Sequence, residues 1–387
     1  MVIDSEFMIV GGGVAGLAAA IALQSIDRDF VLFEQSQLLR GIGAGFGLAA
    51  NAMQALELLG LRKEIERLGY YLDSYHILDQ RGTVLFKPDT TRISEQYSQK
   101  NFAIHRADLH SYLLSKIPSD AVLLGKRAHK LEREGGLVRI FFEDGSIHTA
   151  KYLIIADGVR SLLRQQLVPT STPRYAGYTC WRATIDNTKL QLNTGFETWG
   201  RAGRFGVTPL VNNRIYWYAC VNGKANNPTF QSTTIDNLSQ RFQNYHWPIP
   251  AILNETKDEN LIWSDILDIK PLDRLAYQNI LVIGDAGHAT TPNMGQGACQ
   301  AIEDVAVLID ELKKNKSVTE AFCSFEKRRL SRTRYITETS RQIGQIAQWE
   351  NTYLIGIRNT LAKTLPNWMK QYSLNKLLSK DFMQTNN

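Results

Sequence analysis

The chain has no apolar run of the ~20 residues that a membrane-spanning helix needs. Its N-terminus lacks the basic flank and small-residue cleavage site of a secretory signal, so we expect no signal peptide. The four cysteines form no CxxC pair, which favours reduced thiols over a disulfide framework. The net charge of +6 is spread without a long basic block. This balance indicates anionic small ligands and argues against nucleic acid.

What the chain does have is a set of apolar runs ending in glycine turns, near its start and again around residue 280. Aromatic-rich alternating segments lie between them. We predict an α/β fold in which a Rossmann-like nucleotide-binding domain is interleaved with a β-sheet substrate domain, followed by C-terminal helices. The predicted ranges are 1–73, 101–176 and 270–325 for the nucleotide-binding domain, 74–100 and 177–269 for the sheet domain, and 326–387 for the helices.

The segment FMIVGGGVAGLAAAIAL (7–23) predicts a strand, a glycine turn and a helix. Gly11, Gly13 and Gly16 match GxGxxG, in which the first glycine permits a tight turn, the second lets the backbone approach a pyrophosphate, and the third allows close helix packing. Glu34 ends the next predicted strand, where an acid accepts hydrogen bonds from ribose. These features predict dinucleotide binding. The alternative is a glycine turn that only packs within a ligand-free fold.

Two further motifs accompany the first. Residues 156–164 read ADGVRSLLR, and residues 284–292 read GDAGHATTP, followed by NMGQGACQAIED. Together with GxGxxG, they resemble the signature set of the single-component flavin-dependent aromatic monooxygenases, the para-hydroxybenzoate hydroxylase superfamily. The resemblance covers residues 5–345 and includes all three motifs in the family's order.

The resemblance implies that the cofactor is FAD. In this family an aspartate at the position of Asp285 contacts the ribityl chain, and Arg106 is similar to the arginine that contacts the flavin. The helix that begins after Pro292 would direct its positive end at the N1/C2 edge of the isoalloxazine. The expected FAD contacts are Gly11, Gly13, Gly16, Glu34, Gln35, Gly47, Arg106, Ala128, Asp157, Asp285, Gly295, Gln296 and Gly297.

Several motif residues keep a second interpretation. Asp157 and Arg164 would form a structural ion pair near a helix start, or would serve both the FAD domain and nicotinamide binding, as the resemblance implies. Asp285 would cap the turn that follows it, alone or in addition to binding FAD. No second GxGxxG is present, which suits a family in which NADH or NADPH binds only transiently as the reductant.

The resemblance also implies a reaction. NAD(P)H reduces the FAD, O₂ adds at flavin C4a, and the hydroperoxide transfers one oxygen atom to an electron-rich substrate. Because the cofactor carries the difficult step, the protein positions the substrate and excludes water. Neither a Ser-His-Asp triad nor a metal site is then needed. We interpret His288 as a packing residue rather than a base.

The aromatic segment predicts the substrate site. Alternation along RIYWYACV puts Tyr216 and Tyr218 on one face of a strand. We predict that Tyr216 and Arg204 contact the substrate, with Arg182 behind them, and that an arginine pairs with a substrate carboxylate or phenolate. The alternative is an ordinary aromatic sheet core with arginines on its rim.

Pro292 and Asn293 complete the predicted catalytic set. Pro292 fixes the backbone before the glycine-rich helix start, and Asn293 follows it where the substrate is expected. An asparagine forms hydrogen bonds but is not a general base. Substrate deprotonation, if the reaction requires it, must therefore come from another group.

The leading hypothesis is a cytoplasmic FAD-dependent hydroxylase of a small aromatic or heteroaromatic compound, acting as a monomer or homodimer. Two alternatives stay open: oxygenation or epoxidation of a polycyclic or isoprenoid-like substrate, and a flavin-binding redox protein without oxygenase turnover. The basic amphipathic helices near the C-terminus, broken at Pro366, are predicted to dock on the protein surface rather than at a membrane.

Overall fold

The computed structural model describes residues 3–38, 44–72, 74–87, 101–366, 378 and 380–383. The strands within these residues are β1 (Ser5–Val10), β2 (Phe30–Phe33), β3 (Gly45–Leu48), β4 (Gly69–Leu72), β5 (Tyr75–Asp79), β6 (Val84–Phe86), β7 (Asn101–His105), β8 (Val122–Leu123), β9 (Ala128–Glu134), β10 (Leu137–Phe142), β11 (Ile147–Ile155), β12 (Arg174–Asp186), β13 (Gly195–Gly200), β14 (Gly203–Leu210), β15 (Arg214–Asn222), β16 (Ile262–Asp268), β17 (Ala276–Tyr277) and β18 (Ile280–Val282).

The α-helices within the same residues are α1 (Val14–Gln24), α2 (Ala50–Leu58), α3 (Arg62–Glu66), α4 (Arg106–Leu114), α5 (Leu162–Leu167), α6 (Pro228–Gln231), α7 (Ile235–Phe242), α8 (Ile249–Asn254), α9 (Asp285–His288), α10 (Gly297–Lys314), α11 (Val318–Ala347) and α12 (Thr352–Thr364). Short 3₁₀ turns cover Ser119–Ala121, Asp258–Asn260, Pro292–Met294 and Lys380–Met383.

An eight-stranded sheet forms the nucleotide-binding part of the fold. Its main path is β17-β18-β11-β1-β2-β8, and β9 and β10 extend it from β11. The strands β18, β11, β1 and β2 run parallel, so their carboxyl ends meet at one edge. The three sequence motifs leave the sheet at this edge, after β1, β11 and β18. The predicted α/β architecture with a Rossmann-like region is confirmed.

A seven-stranded sheet in the order β16-β12-β15-β14-β13-β5-β6 forms the second layer. Apolar side chains on one face, including Phe205 and Trp217, pack against α7 and α8. The strand β12 runs across the predicted boundary between residues 176 and 177. Gly177, with φ +92°, lies in the stretch between Tyr175 and Thr179 where the pairing with β16 shifts register, and the strand continues through it.

A three-stranded sheet, β3-β7-β4, connects the two larger sheets. The strand β3 comes from the second glycine-rich stretch and includes Gly47, whereas residues 41–43 of that stretch lie outside the described residues. Within the predicted range 74–100, the structure describes residues 74–87, which form β5 and β6.

The helix α11 runs across the predicted boundary at residue 325 and is tied to α10 by buried charges. Arg329 Nε donates to Asp304 Oδ1 at 2.7 Å, and its Nη1 donates to Glu303 Oε2 at 2.6 Å. All three side chains are fully buried. Burial raises the pKa of the Asp304 carboxyl, but the charges of His288 and Arg329 outweigh this effect and lower the pKa overall.

The helix α12 docks on the sheet layer through Arg358, which donates to the carbonyl oxygen of Ala347 at 2.9 Å and stacks over the Trp199 ring. Ile357 and Leu361 on the same helix are 54% and 56% exposed. Beyond Pro366, residues 367–377 lie outside the described residues. None of the helices in the described ranges is long and apolar enough to cross a membrane.

The buried ion cluster predicts a large effect of Arg329→Met on stability. The substitution leaves two buried carboxylates short of a cation, so we expect the free energy of unfolding to fall by about 3–5 kcal/mol. Urea denaturation of the FAD-loaded protein measures it. Arg334→Met is the control, because Arg334 pairs with the 96% exposed Asp273, and such a pair contributes at most about 1 kcal/mol. Equal losses in the two variants would contradict the prediction.

Candidate active site

The first glycine loop is closed by backbone contacts that only glycine permits. A Cβ on Gly11, which has φ +112°, would lie 2.3 Å from the carbonyl oxygen of Ala156. A Cβ on Gly16 would lie 1.9 Å from the carbonyl oxygen of Gly11. Beside Gly13, by contrast, a Cβ would meet no atom within 4 Å. The loop is therefore packed on the strand side and open at the start of α1, where backbone N–H groups favour an anion.

Glu34 orders this loop from the neighbouring strand. Its Oε2 accepts a hydrogen bond from the Gly12 backbone N–H at 2.7 Å, and its Oε1 accepts one from Ser36 N–H at 2.9 Å. Gln35 is exposed next to it. Ala128 is buried in β9, in the apolar cluster that also contains the last residues of β1 and β2. The ribose contact predicted for Glu34 stays a prediction, and so do the FAD contacts of Gln35 and Ala128.

Arg164 connects two of the motif loops. Its guanidinium is fully buried and donates to the carbonyl oxygens of Val159 and Ser171, each at 2.9 Å, and of Ala286 at 3.1 Å. It forms no direct ion pair with Asp157, although both residues are described, so the ion-pair interpretation is wrong. The arginine instead binds backbone oxygens and holds the loop after β11 to the loop after β18.

Asp157 has a buried oxygen that the protein leaves unsatisfied. Its Oδ1 has no hydrogen-bond partner within the described residues. Burial raises the pKa of this carboxyl to about 6, against the weaker lowering effects of Ser161 and Arg164. A buried polar atom without a protein partner is uncommon in a folded protein, and this oxygen is available to accept a hydrogen bond from a ligand or water.

Asp285 and Arg106 lie close enough for their charges to interact. Asp285 is partly exposed to solvent, yet its carboxylate is packed among protein atoms. This burial raises the pKa of the carboxyl overall, although the charges of His288 and Arg106 oppose the effect. A Cβ on Gly297 would lie 3.8 Å from Asp285 Oδ1, which places this carboxylate beside the start of α10. The N–H of Arg106 donates to the carbonyl oxygen of Ala44 next to β3. The structure thus brings together three segments that the sequence singled out separately.

The segment just before α10, which we call the tip, is a tight turn. Residues Pro292–Met294 form a 3₁₀ turn, and Gly295 follows with φ +62°. Gln296 is fully buried, and its Oε1 accepts hydrogen bonds from Asn51 at 3.0 Å and Gln300 at 2.9 Å. Because the side chain of Gln296 is committed to the interior, only its backbone is free to meet a ligand at this turn.

Asn293 connects the tip to the seven-stranded sheet. Its Nδ2 donates to Thr291 Oγ1 at 2.7 Å and to the carbonyl oxygen of Ser340 at 2.8 Å, and its Oδ1 accepts from the Tyr178 hydroxyl at 3.1 Å. A Cβ on Gly344 would lie 2.3 Å from Asn293 Nδ2. Both the nitrogen and the oxygen of the Asn293 amide are therefore hydrogen-bonded within the protein, which fixes the orientation of this side chain.

His288 has a structural partner. Its Nε2 lies 2.6 Å from Asp304 Oδ2, which also accepts a hydrogen bond from the Gly284 N–H at 2.8 Å. Both side chains are buried. This geometry agrees with the interpretation of His288 as a packing residue.

One face of the seven-stranded sheet is directed at the motif loops. Tyr216, Tyr218 and Cys220 lie on this face, whereas Ile215 and Trp217 lie on the face covered by α7 and α8. Alternation had predicted this division. Tyr216 packs directly against β3, because a Cβ on Gly45 would lie 2.7 Å from the Tyr216 Cβ. We call this layer the substrate face, defined by Tyr75, Tyr178, Cys180, Arg182, Glu197, Arg204, Tyr216, Tyr218 and Cys220.

Arg204 already has a partner within the protein. Its Nη1 donates to Glu197 Oε1 at 3.0 Å, and its Nε donates to Gln348 Oε1 at 2.8 Å. The Arg204 and Glu197 side chains are 2% and 9% exposed. Glu197 also accepts from the Tyr218 hydroxyl at 2.8 Å and from Trp199 Nε1 at 3.0 Å. Sequence reasoning missed Glu197, because nothing in GFETWG marks a glutamate that faces an arginine on the next strand.

Arg182 is the cation of the substrate face that lacks a carboxylate partner among the described residues. It is half-buried and lies beside Cys180 and Tyr216. The Cys180 thiolate is the main cause that raises the pKa of Arg182. Burial raises the pKa of Tyr216, and the charge of Arg182 opposes this effect. Arg204 Nη2 has no hydrogen-bond partner among the described residues, and the expectation that Arg204 contacts the substrate with Arg182 behind it stays a prediction.

The site as a whole fits FAD. The open backbone beside Gly13, the unsatisfied Asp157 oxygen and the N-terminus of α10 suit a pyrophosphate, a hydroxyl donor and a flavin ring that accepts negative charge. Residues 4–339 match the family model described as an FAD binding domain. The chain belongs to the class A FAD-dependent monooxygenases. This membership confirms the predictions of family, enzyme class and cofactor.

Three relatives illustrate the match. The aurachin C monooxygenase/isomerase of Stigmatella aurantiaca is 32% identical over 92% of this chain and 94% of its own. The 2-heptyl-3-hydroxy-4(1H)-quinolone synthase of Pseudomonas aeruginosa is 28% identical over 93% and 94%. Among solved structures, Klebsiella pneumoniae HpxO complexed with FAD and uric acid has a TM-score of 0.88 and 26% identity over 97% of each chain.

Because Arg164 joins two motif loops, we predict that Arg164→Met weakens both stability and FAD retention. Several buried carbonyl oxygens lose their donor, and we expect a fall of about 3 kcal/mol in the free energy of unfolding. The molar ratio of FAD to purified protein and urea denaturation provide the measurements. Arg160→Met, at an exposed position of the same motif, is the matched control. Full FAD content in Arg164→Met would be incompatible with the bridging role.

The raised pKa of Asp157 predicts a pH effect of defined sign. A carboxyl whose pKa is about 6 in the folded protein and ~3.9 in the unfolded chain binds a proton on folding between these values. Its contribution therefore makes the protein more stable as pH falls from about 7 to 5. Asp157→Asn removes this contribution. The advantage in unfolding midpoint of the variant over the wild type at pH 7 should therefore shrink as pH falls to 5. Parallel pH profiles at equal FAD content would count against it.

Proposed function

We propose that this enzyme hydroxylates a small nitrogen-containing heteroaromatic compound of the 4(1H)-quinolone type, with NADH or NADPH as the transient reductant and O₂ as the co-substrate. The relative named 2-heptyl-3-hydroxy-4(1H)-quinolone synthase aligns with 93% of the chain. The observation that carries the proposal is the substrate face, where aromatic side chains surround a single cation without a carboxylate partner among the described residues.

The substrate face combines a rigid frame with a free cation. In the proposed frame, Glu197 holds Arg204 and Tyr218, so that their positions do not depend on substrate. Arg182 then donates hydrogen bonds to a substrate oxygen, and the Tyr216 ring provides an aromatic wall beside it. A cation next to an enolisable carbonyl favours its anionic form, which is the more electron-rich one. The apolar surroundings exclude water.

FAD supplies the electron transfer and the oxygen activation when it is bound. We infer that the loop at Gly11, Gly13 and Gly16 holds the pyrophosphate through backbone N–H groups. Asp285 and Arg106 are assigned to the ribityl and flavin regions. The positive end of α10, at Gly297, stabilises negative charge on the pyrimidine side of the flavin ring.

The remaining assignments are of the same kind. We assign the contacts of Glu34, Gln35, Ala128 and Gly47 to the adenosine end or the flavin edge of FAD. Asp157 has an unsatisfied oxygen that suits a hydroxyl group of a bound nucleotide. The domain ranges given above, a cytoplasmic location and a monomer or homodimer complete the proposal.

The substrate class is tested by substrate-stimulated oxidation of NADH and NADPH in the purified FAD-loaded enzyme. We expect stimulation by a 4(1H)-quinolone with an unsubstituted C3, and a product heavier by one oxygen atom in mass spectrometry. Urate and 4-hydroxybenzoate are the comparison compounds. If urate alone stimulates the reaction and is oxygenated, the quinolone assignment is wrong while the monooxygenase assignment stands.

The role of Arg182 predicts a specific kinetic change. Arg182→Met removes a charged hydrogen-bond donor worth about 1.5–3 kcal/mol, so KM should rise roughly 10- to 100-fold. Arg182→Lys should recover part of the loss. Arg201→Met, at an exposed position in the turn between β13 and β14, is the control and should leave KM unchanged. An unchanged KM in Arg182→Met would show that this arginine does not bind substrate.

A further inference from the structure

Two free cysteines on the substrate face lie directly opposite each other. Cys180 in β12 pairs with Cys220 in β15. In the same register, the Gly223 N–H donates to the Gly177 carbonyl oxygen, and the Asn187 N–H donates to the Asn213 carbonyl oxygen. Hydrogen-bonded and non-hydrogen-bonded pairs alternate along an antiparallel ladder.

The cysteine pair is therefore a non-hydrogen-bonded pair. It lies an odd number of positions from each of the two hydrogen-bonded pairs, three from Gly177 and seven from Asn187. The Cα atoms of such pairs are ~4.5 Å apart, and disulfides span Cα distances of ~4.4–6.8 Å. A disulfide can thus form across the strands without moving the backbone far.

The two thiols differ in reactivity. Burial opposes ionisation of Cys180, but the hydrogen bond from Cys220 and the charge of Arg182 lower its pKa to about 6. The pKa of Cys220 lies well above its ordinary value. Cys180 is therefore the more readily ionised thiol of the pair, and Cys220 is the one that stays protonated beside it. For comparison, burial raises the pKa of Cys299 to about 12.

The cysteine pair also lies near a source of hydrogen peroxide. Cys180 and Cys220 share a cluster with Tyr178, which donates to Asn293 at the tip before α10. A flavin-dependent monooxygenase that consumes NAD(P)H and O₂ without transferring oxygen releases hydrogen peroxide when water reaches the site. Both thiols belong to the substrate face, which is directed at the motif loops, so they lie close to where the hydrogen peroxide would form.

We propose that Cys180 and Cys220 form a reversible cross-strand disulfide when the enzyme meets hydrogen peroxide, and that this bond protects Cys180 from irreversible oxidation. The Cys180 thiolate attacks one peroxide oxygen, the O–O bond breaks, and hydroxide leaves and becomes water with one proton. The Cys220 sulfur then attacks the sulfenic sulfur, which forms the S–S bond and releases a second water. The two thiols together give up two electrons and reduce one peroxide.

The first test maps the bond directly. The FAD-loaded enzyme is treated with hydrogen peroxide in the absence of aromatic substrate, alkylated under denaturing conditions and digested without reduction. We expect one linked peptide pair that contains Cys180 and Cys220 and is lost on treatment with dithiothreitol. Cys299 should remain alkylatable. If both thiols stay alkylatable at peroxide concentrations that oxidise the exposed Cys323, or if Cys180 becomes sulfinic acid without a linked peptide, the proposal fails.

A matched pair of variants tests the protective role. Cys220→Ser leaves Cys180 without a resolving thiol, so peroxide should convert Cys180 to sulfinic acid, which dithiothreitol does not reverse. Cys299→Ser keeps the pair and should form the disulfide like the wild type. Cys180 that stays reversible in Cys220→Ser would overturn the protective role. The linked-peptide measurement on the wild type decides the disulfide itself even if a variant fails to fold, and neither result depends on the identity of the substrate.

Discussion

The arrangement of the candidate active site depends on the hydrogen bonds of the buried Asp304 carboxylate. It lies on α10 and accepts hydrogen bonds from the backbone of Gly284, from the side chain of Arg329 on α11, and it contacts His288. A buried charge is tolerated only when its partners surround it. Asp304 therefore holds the loop after β18, the helix α10 and the helix α11 in one arrangement.

The helix α11 also connects this buried cluster to the seven-stranded sheet. Close to its middle Arg329 binds the buried carboxylates, and just beyond its end Gln348 accepts a hydrogen bond from Arg204 and donates one to Asn222. Between them, the Ser340 carbonyl oxygen accepts a hydrogen bond from Asn293. The helix α11 and the residue just beyond it thus contact both the turn before α10 and the substrate face. This matters because oxygen transfer depends on the placement of the substrate against the flavin to within a fraction of an ångström.

Sequence reasoning succeeds where the information is local. The glycine at position 16 reports a contact with the backbone of Gly11 five residues earlier, and alternation along β15 divides its side chains between two faces. It fails where a residue's partner lies far along the chain. Arg164 reads as an ion-pair partner for Asp157 but binds the carbonyl oxygen of Ala286, and Glu197 carries no sequence signal for its place opposite Arg204.

The charges of the substrate face explain why two arginines of similar sequence context play different parts. Arg204 is almost fully buried, and Glu197 supplies its counter-charge while also accepting hydrogen bonds from Trp199 and Tyr218. Arg182 remains partly accessible, so solvent and the neighbouring thiolate suffice until a ligand arrives. We therefore infer that the buried pair determines the shape of the site, while Arg182, which has no carboxylate partner among the described residues, determines which ligand charge the site favours.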